Sequence, residues 1–371
     1  MRIVHVASSI NTAGGGTSEV IPRLAEEQCK LGHEVAICCM NTELSKAAQE
    51  AAASGVRILT FKSVGIESLG YSHEFNVALR EQIEKASIVH LHGMWAWPCC
   101  AGGWLSQKLH RPYVKMPHGF LRPEPLKKSR LKKIIVGTLI ERPLLRKAAA
   151  VIATSEGEVE SLRAYGVQRP IYTMPIGIDL DRYVTSDCRT RTLLYLSRIS
   201  PIKGLDLLAK AWGTMNRQNW RLLLVGPDDR GYTEVAKKTF AENCPVNSFE
   251  FREPVFGRDK YELLSSVGGF VLPSRSENWS ISVAEAMASG LPVVCTQGAP
   301  WRCLEDIGAG WWVDVSVSGI RKGLEKLISL SEDERSKMGC RGRDWVGVNL
   351  NWRTIATDMV AYYEGLMTKV K

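Results

Sequence analysis

The sequence predicts an α/β protein of two doubly wound domains, each a parallel sheet with helices on both faces. Three observations predict it. Short apolar, β-branched runs alternate with helix-period stretches from end to end, which is how successive strand-helix-strand units read. The alternation pauses once, at the polar stretch IDLDRYVTSDCRTR, and then restarts. A chain of 371 residues with 45% hydrophobic content also exceeds what one core normally serves, so two domains of about 150 to 190 residues are expected.

In the first half the strands read RIVHVAS, EVAICCM, VRILTFK, IVHLHG, YVKMPHG, AVIATS and IYTMPIG. After the pause come TLLYLSR, WRLLLVGPD, FEFREPV, GFVLPS, PVVCT and GWWVD, and the tail from Ser331 to Lys371 is helical. The expected boundaries are a first domain over 1–178, a linker over 179–190, a second domain over 191–350 and a closing helical segment over 351–371. In such sheets ligands bind where the loops gather at the carboxyl ends of the strands. There is no internal repeat and no low-complexity segment.

Composition removes several classes. The longest apolar stretches are strand-length, well short of the roughly 20 residues a membrane span needs. The start, MRIVHVASS, runs directly into a strand and has none of the parts of a signal peptide, so a mature cytoplasmic chain is expected. The ten cysteines fall singly or in adjacent pairs within apolar runs, with no C-x-x-C, so they read as buried free thiols. Neither H-E-x-x-H nor a zinc-type Cys/His spacing occurs, so no metal site is expected. The net charge of +9 suggests an anionic partner. No nucleic-acid-binding motif accompanies it. The charge concentrates between Arg122 and Lys147, with nine basic residues against the two acids Glu124 and Glu141. Two readings stand for this 122–147 segment: a solvated helix face, or a surface for an anionic membrane or a phosphate-bearing substrate.

Three loops carry residues suited to chemistry. In NTAGGGTSEVIPRLAEEQCK a glycine loop ends at a helix, where bare backbone N–H groups can meet a phosphate. It lacks the third glycine of G-x-G-x-x-G, where Glu19 stands, and the Gly-Lys-Ser/Thr of a P-loop, so a plain tight turn remains the alternative. In YLSRISPIKG, Arg198 follows a strand and Lys203 sits five residues later. The arginine fork and the lysine point charge can converge on a diphosphate, or both can simply be solvated. In SENWSISVAEAMASGLPVV, Ser280 is placed to cap a helix. Glu277 lies ahead of that helix N-terminus, where it could merely stabilise the helix dipole. Glu285, on the next turns, is flanked by Val283, Ala284, Ala286, Met287 and Ala288. An acid half buried there needs hydroxyl or cationic partners.

The pair Glu277 and Glu285, seven residues between them, with AMASGLPVV, SRISPIKG, the glycines after the first strand and PIGID, resembles the retaining, sugar-nucleotide-dependent glycosyltransferases of family four. The resemblance runs from Met1 to about Tyr363. It implies the GT-B fold: two Rossmann-like domains facing across a cleft, with C-terminal helices crossing back to the first domain. It also implies no cofactor and no metal, the substrate itself being a sugar nucleotide such as a UDP- or GDP-sugar. By the family pattern Glu285 would take the ribose hydroxyls, Glu277 the sugar hydroxyls, and Arg198 and Lys203 the diphosphate. The backbone around Asn278, Trp279, Ser280 and Ile281 would touch sugar and phosphate, with Gly15 and Gly16 closing over the pyrophosphate. His118 in MPHGF matches a histidine beside the reacting sugar, its alternative being a satisfied strand-end histidine. Trp279 departs from the family pattern and is expected to reshape the sugar pocket.

For the acceptor, HLHGMWAWP and the stretch after it offer His92, Trp95 and Arg122, with Trp95 stacking on a sugar ring or else, like Trp97, serving only as packing. If the basic helices face a membrane, the implied acceptor is an oligosaccharide or a polyprenyl-diphosphate-linked saccharide of a cell-surface polysaccharide, reached by a cytoplasmic enzyme peripheral on the inner face of the membrane. A noncatalytic sugar-nucleotide-binding scaffold and a GT-B-like epimerase are the rival readings.

Overall fold

The computed structural model describes residues 1–11, 16–40, 43–64, 70–127, 130–186 and 189–368. All thirteen expected strand runs form strands. β1 (Arg2–Ala7), β2 (Glu34–Met40), β3 (Arg57–Phe61), β4 (Ile88–His92), β5 (Tyr113–Met116), β6 (Ala150–Ala153) and β7 (Ile171–Thr173) make one parallel sheet in the order β3-β2-β1-β4-β5-β6-β7. β8 (Thr190–Leu196), β9 (Arg221–Val225), β10 (Phe249–Arg252), β11 (Val267–Leu272), β12 (Val293–Thr296) and β13 (Gly310–Val313) make a second, in the order β10-β9-β8-β11-β12-β13.

The central strands are apolar on both faces because helices cover both. On β1, Val4 and Val6 enter a core with Phe75, Leu79 and Leu91; Ala7 enters another with Ile21, Ala25, Ile37 and Cys39. The edge strand β10 alternates instead. Phe249 and Phe251 turn inward onto Phe240, at centroid distances of 5.2 and 5.5 Å, while Glu250 and Arg252 pair on the outside at 2.6 Å.

The chain divides into one unit of Met1–Gly177 with Trp352–Lys371, and a second of Ile178–Asn351. The helix Trp352–Thr368 belongs to the first unit, where Tyr362 stacks on Tyr172 at 4.3 Å and the Tyr363 hydroxyl meets His90 Nδ1 at 2.6 Å. A Cβ on Gly177 would lie 2.3 Å from the Trp352 ring, so only glycine lets the chain pass there. The stretch expected as a linker is packed into the second unit. Ile178 N donates to Leu350 O at 2.7 Å, and Tyr183 is 5% exposed with its carbonyl held by Arg343 at 2.7 Å. The polar composition of 179–190 hid one buried anchor, Tyr183.

The basic segment forms the helices Pro123–Lys127 and Arg130–Val136, a π-helical turn Gly137–Glu141 and the helix Arg142–Lys147. Among the described residues no helix is long and apolar enough to cross a membrane, and the described cysteines are free.

Candidate active site

In the second unit the strand order reverses between β8 and β11, the place where a doubly wound sheet opens a crevice at its carboxyl edge. The loops leaving these two strands carry Arg198 and Lys203 on one side, and Ser274 and Glu277 on the other. Two glycines let them meet. A Cβ on Gly204, which has φ +68°, would lie 2.1 Å from the Pro273 carbonyl, and one on Gly298 would lie 2.1 Å from the Ser274 carbonyl. Arg275 locks the same junction, forked onto both carboxylate oxygens of Asp206 at 2.7 Å.

Glu277 Oε1 accepts from Lys203 Nζ at 2.5 Å and from the Ser274 hydroxyl at 2.6 Å, and its own N–H donates to Gly298 O at 2.7 Å. Thus Glu277 and Lys203 neutralise one another. Arg198 is exposed, and among the described residues its guanidinium has no hydrogen-bond or ion partner.

Glu285 is 7% exposed and has the two kinds of partner its burial demands. The Tyr183 hydroxyl donates at 2.9 Å and Lys260 Nζ at 2.5 Å, both to Oε1. The second carboxylate sits on the helix Ile281–Ala288. Ser280 precedes it but does not cap it as expected: at φ +74° its hydroxyl turns to Ser282 Oγ, 3.3 Å away, and makes no capping bond. A non-glycine residue held there costs on the order of 1–3 kcal/mol, the kind of strain that collects at functional sites. Uncapped, the first N–H groups of the helix are left for an anion. Trp279 does not line an open pocket with its ring. It is 7% exposed and packs edge-on to Trp301 at 4.7 Å, whose indole N–H donates to Trp279 O at 2.5 Å. A large apolar ring beside a core tryptophan buries itself, so the Trp279 ring turns inward.

In the first unit, strand alternation puts His90 and His92 on the same face of β4, and the β1–β4 register sets His5 opposite His90. His5 Nδ1 lies 2.8 Å from His92 Nε2, and His92 Nδ1 lies 3.1 Å from His118 Nε2. At 3% exposure with both ring nitrogens engaged, His92 is not the acceptor contact expected of it; its ring is an interior link. His118 follows β5 at φ +54°. The turn behind it is held by buried Glu158, which accepts from Gly119 N at 2.5 Å and Thr154 N at 2.8 Å. Burial holds the imidazoles of His5 and His118 down at about 4, and those of His90 and His92 well below their ordinary value. The nitrogens of His5, His90 and His92 all fall within 4.8 Å. Yet the rings of His90 and His92 stack at 4.0 Å and 27°, so their in-plane lone pairs run side by side and do not converge on a metal.

Trp95 adopts φ +71° and donates its backbone N–H to Glu141 at 2.6 Å. Glu141, in the π-helical turn, also pairs with Lys115; both are fully buried. Burial alone would lower the Lys115 ammonium's affinity for its proton, but the adjacent Glu141 carboxylate overrides this and holds it above the usual lysine value. The Trp95 ring is partly buried against Leu121, Leu145 and Leu162, with Lys133 over its face at 5.8 Å. Trp97 is a packing residue, bonded to Asn76 at 2.9 Å and edge-on to Trp104. Arg122 N donates to Gly119 O at 3.1 Å, closing the turn after His118. Gly16 is the N-cap of the helix Thr17–Lys30; Gly15 lies outside the described residues.

Two family descriptions match and together span most of the chain: Glycosyltransferase Family 4 over residues 14–182 and Glycosyl transferases group 1 over 190–329. The chain belongs to family 4 of the glycosyltransferases. This is a retaining hexosyltransferase family with the GT-B fold. Among curated relatives, the glycosyltransferase is 26% identical over 322 residues to the GDP-mannose:cellobiosyl-diphosphopolyprenol alpha-mannosyltransferase of Xanthomonas campestris, covering 84% of this chain and 82% of the relative. In fold it matches Anabaena Alr3699/HepE in complex with UDP-glucose, with a TM-score of 0.78 at 16% identity and coverage of 98% and 100% of the two chains. It also matches a sucrose-phosphate synthase from Thermosynechococcus elongatus, with a TM-score of 0.77 at 18% identity and full coverage of both.

Sequence reasoning did not find Tyr183, Lys260 or Ser274 in this glycosyltransferase. The need of Glu285 for a hydroxyl and a cation was legible from its apolar flanks. Which residues would answer it was not, because Tyr183 and Lys260 lie 102 and 25 positions away. His5, Gln28, Glu141 and Glu158 were missed for the same reason, although the H-x-H of HLHG already signals two histidines on one strand face.

Proposed function

We propose that this glycosyltransferase moves a hexose from a nucleoside-diphosphate donor to a polyprenyl-diphosphate-linked saccharide, in the assembly of a cell-surface polysaccharide. One observation carries the donor half of the reading: two carboxylates, buried Glu285 and half-buried Glu277, each already matched to a lysine, beside an exposed and unengaged Arg198 at the reversal point of the second sheet. Donor binding would exchange partners. Glu285 takes the ribose hydroxyls, Glu277 those of the sugar, and Lys203 joins Arg198 on the diphosphate. As the anomeric bond breaks, negative charge grows on the leaving diphosphate. Arg198, Lys203 and the uncapped helix N-terminus would stabilise it, each worth on the order of a few kcal/mol. Retention then needs no protein nucleophile if the leaving phosphate oxygen accepts the acceptor's proton on the same face. We assign His118 to the reacting sugar.

Two observations support a lipid-linked acceptor. A relative that the chain matches over 84% of its length, the Xanthomonas campestris mannosyltransferase, is named for such a substrate. The basic segment also exposes Leu131, Ile134, Ile135 and Leu139, at 78, 52, 60 and 70%. Apolar side chains turned outward among lysines and arginines are what an interfacial helix presents to an anionic bilayer. We accordingly place the enzyme at the cytoplasmic face of a membrane. The deciding experiment is a matrix of UDP- and GDP-sugars against polyprenyl-diphosphate-linked saccharides, followed by release of nucleoside diphosphate. Release that requires the acceptor supports the reading. Tight nucleotide binding with no turnover for any pair would overturn it in favour of a noncatalytic scaffold.

A further inference from the structure

Four of the seven histidines of this chain gather in one place, and three of them form a hydrogen-bonded row that ends at His118. The row begins on the helix Thr17–Lys30, where Gln28, fully buried, turns its carboxamide oxygen to His5 Nε2 at 2.7 Å. His5 is fully buried and His92 nearly so. His90 stands beside the row and takes the Tyr363 hydroxyl at its Nδ1 instead.

A neutral imidazole has one N–H and one lone pair, and each bond in such a row uses one of each. Burial keeps these rings neutral at pH 7. With the Gln28 oxygen toward His5 and its buried nitrogen away from it, that oxygen accepts, so in this orientation His5 carries its proton on Nε2 and presents Nδ1 as an acceptor. His92 must then donate from Nε2 and accept at Nδ1, and His118 must donate from Nε2. The proton positions of three rings are thereby set by one amide at the far end.

Resting on the assignment of His118 to the reacting sugar, we propose that Gln28 and His5 are positioning residues that hold His118 as its Nε2–H tautomer, its Nδ1 a lone-pair acceptor for a sugar hydroxyl. Neither Gln28 nor His5 needs to touch substrate. The same row fixes the plane of the His118 ring, while Glu158 fixes the turn beneath it. Were Gln28 turned over, every proton in the row would reverse, and His118 would offer a donor at Nδ1 where this arrangement offers an acceptor.

The test is long-range ¹⁵N–¹H NMR of the imidazoles in the full-length protein at pH 7, with His118→Asn used to assign the His118 signals. The expected result is a neutral His118 protonated at Nε2. Gln28→Leu keeps the volume but removes the oxygen; it should mix the His118 tautomers and lower kcat on the order of tenfold. KM for the sugar nucleotide should change less than about twofold, as expected when ground-state donor binding is untouched. Gln28→Glu, whose carboxylate also accepts, should restore both the spectrum and kcat. A wild-type His118 protonated at Nδ1, or Gln28→Leu with unaltered His118 signals, overturns the proposal; if that variant does not fold, the wild-type spectrum alone decides. Should the spectra come out as expected in a protein that transfers no sugar, the row stands and the assignment of His118 to a sugar falls.

Discussion

Two carboxylates stand at the centre of the proposed donor site, and each is paired with a lysine, Glu277 with Lys203 and Glu285 with Lys260. Glu285→Ala removes the partner of Lys260 and Tyr183 together. Affinity for nucleoside diphosphate, read by isothermal titration, should fall by about tenfold or more, since bonds to a charged group contribute roughly 1.5–3 kcal/mol. Unchanged affinity would remove Glu285 from the ribose. Lys203→Ala should behave differently. Its loss is felt where charge develops, so kcat should fall on the order of 10²–10³-fold with a smaller effect on donor binding, as steady-state kinetics would show. The sequence made Glu277, Glu285, Arg198 and Lys203 legible through their spacing and strand-end positions, but not Lys260. It also misled at this scale. Ser280 looked like a cap and is a strained residue that makes no capping bond, and His92, expected to contact the acceptor, is a buried interior link.

At the scale of elements, the segment from Pro123 to Lys147 joins an outward apolar face to the seven-stranded sheet of its own unit. Glu141, in its π-helical turn, reaches Lys115 on β5 and the backbone of Trp95 after β4. Replacing Leu131 and Ile135 by aspartate puts charge on the exposed face without disturbing a core contact. Sedimentation with vesicles containing phosphatidylglycerol should show binding reduced about tenfold or more, because each side chain contributes roughly 1.5–3 kcal/mol on burial. Undiminished sedimentation would favour the solvated-face reading. Charge and helical period announced this segment; the outward direction of its apolar side chains depended on what its other face packs against.

For the molecule as a whole, the buried histidine row ties stability to pH. His5 titrates near 6.5 when unfolded and near 4 when folded, since burial disfavours its cation. The unfolded chain therefore binds the extra proton, and the stabilisation is fully present above about pH 6.5 and is lost as pH falls to about 4. For fully buried His5 this amounts to roughly 3 kcal/mol; His118, whose ring stays partly exposed, adds less. Thermal unfolding followed by circular dichroism should show a steeper loss between pH 7 and 4.5 in the wild type than in His5→Gln. Equal slopes would mean that the row does not govern acid sensitivity. The sequence by itself determined the thirteen strands and the division into two sheets, and it singled out Arg198, Lys203, Glu277 and Glu285. Those follow from local signals: period, strand-end position and spacing within a loop. Only the tertiary structure decided that Tyr183 and Lys260 answer Glu285, that Gln28 and His5 stand behind His118, and that Trp279 turns inward. Such pairings depend on strand order and register, which bring side chains up to a hundred positions apart within hydrogen-bond reach and leave no trace in any short window of sequence.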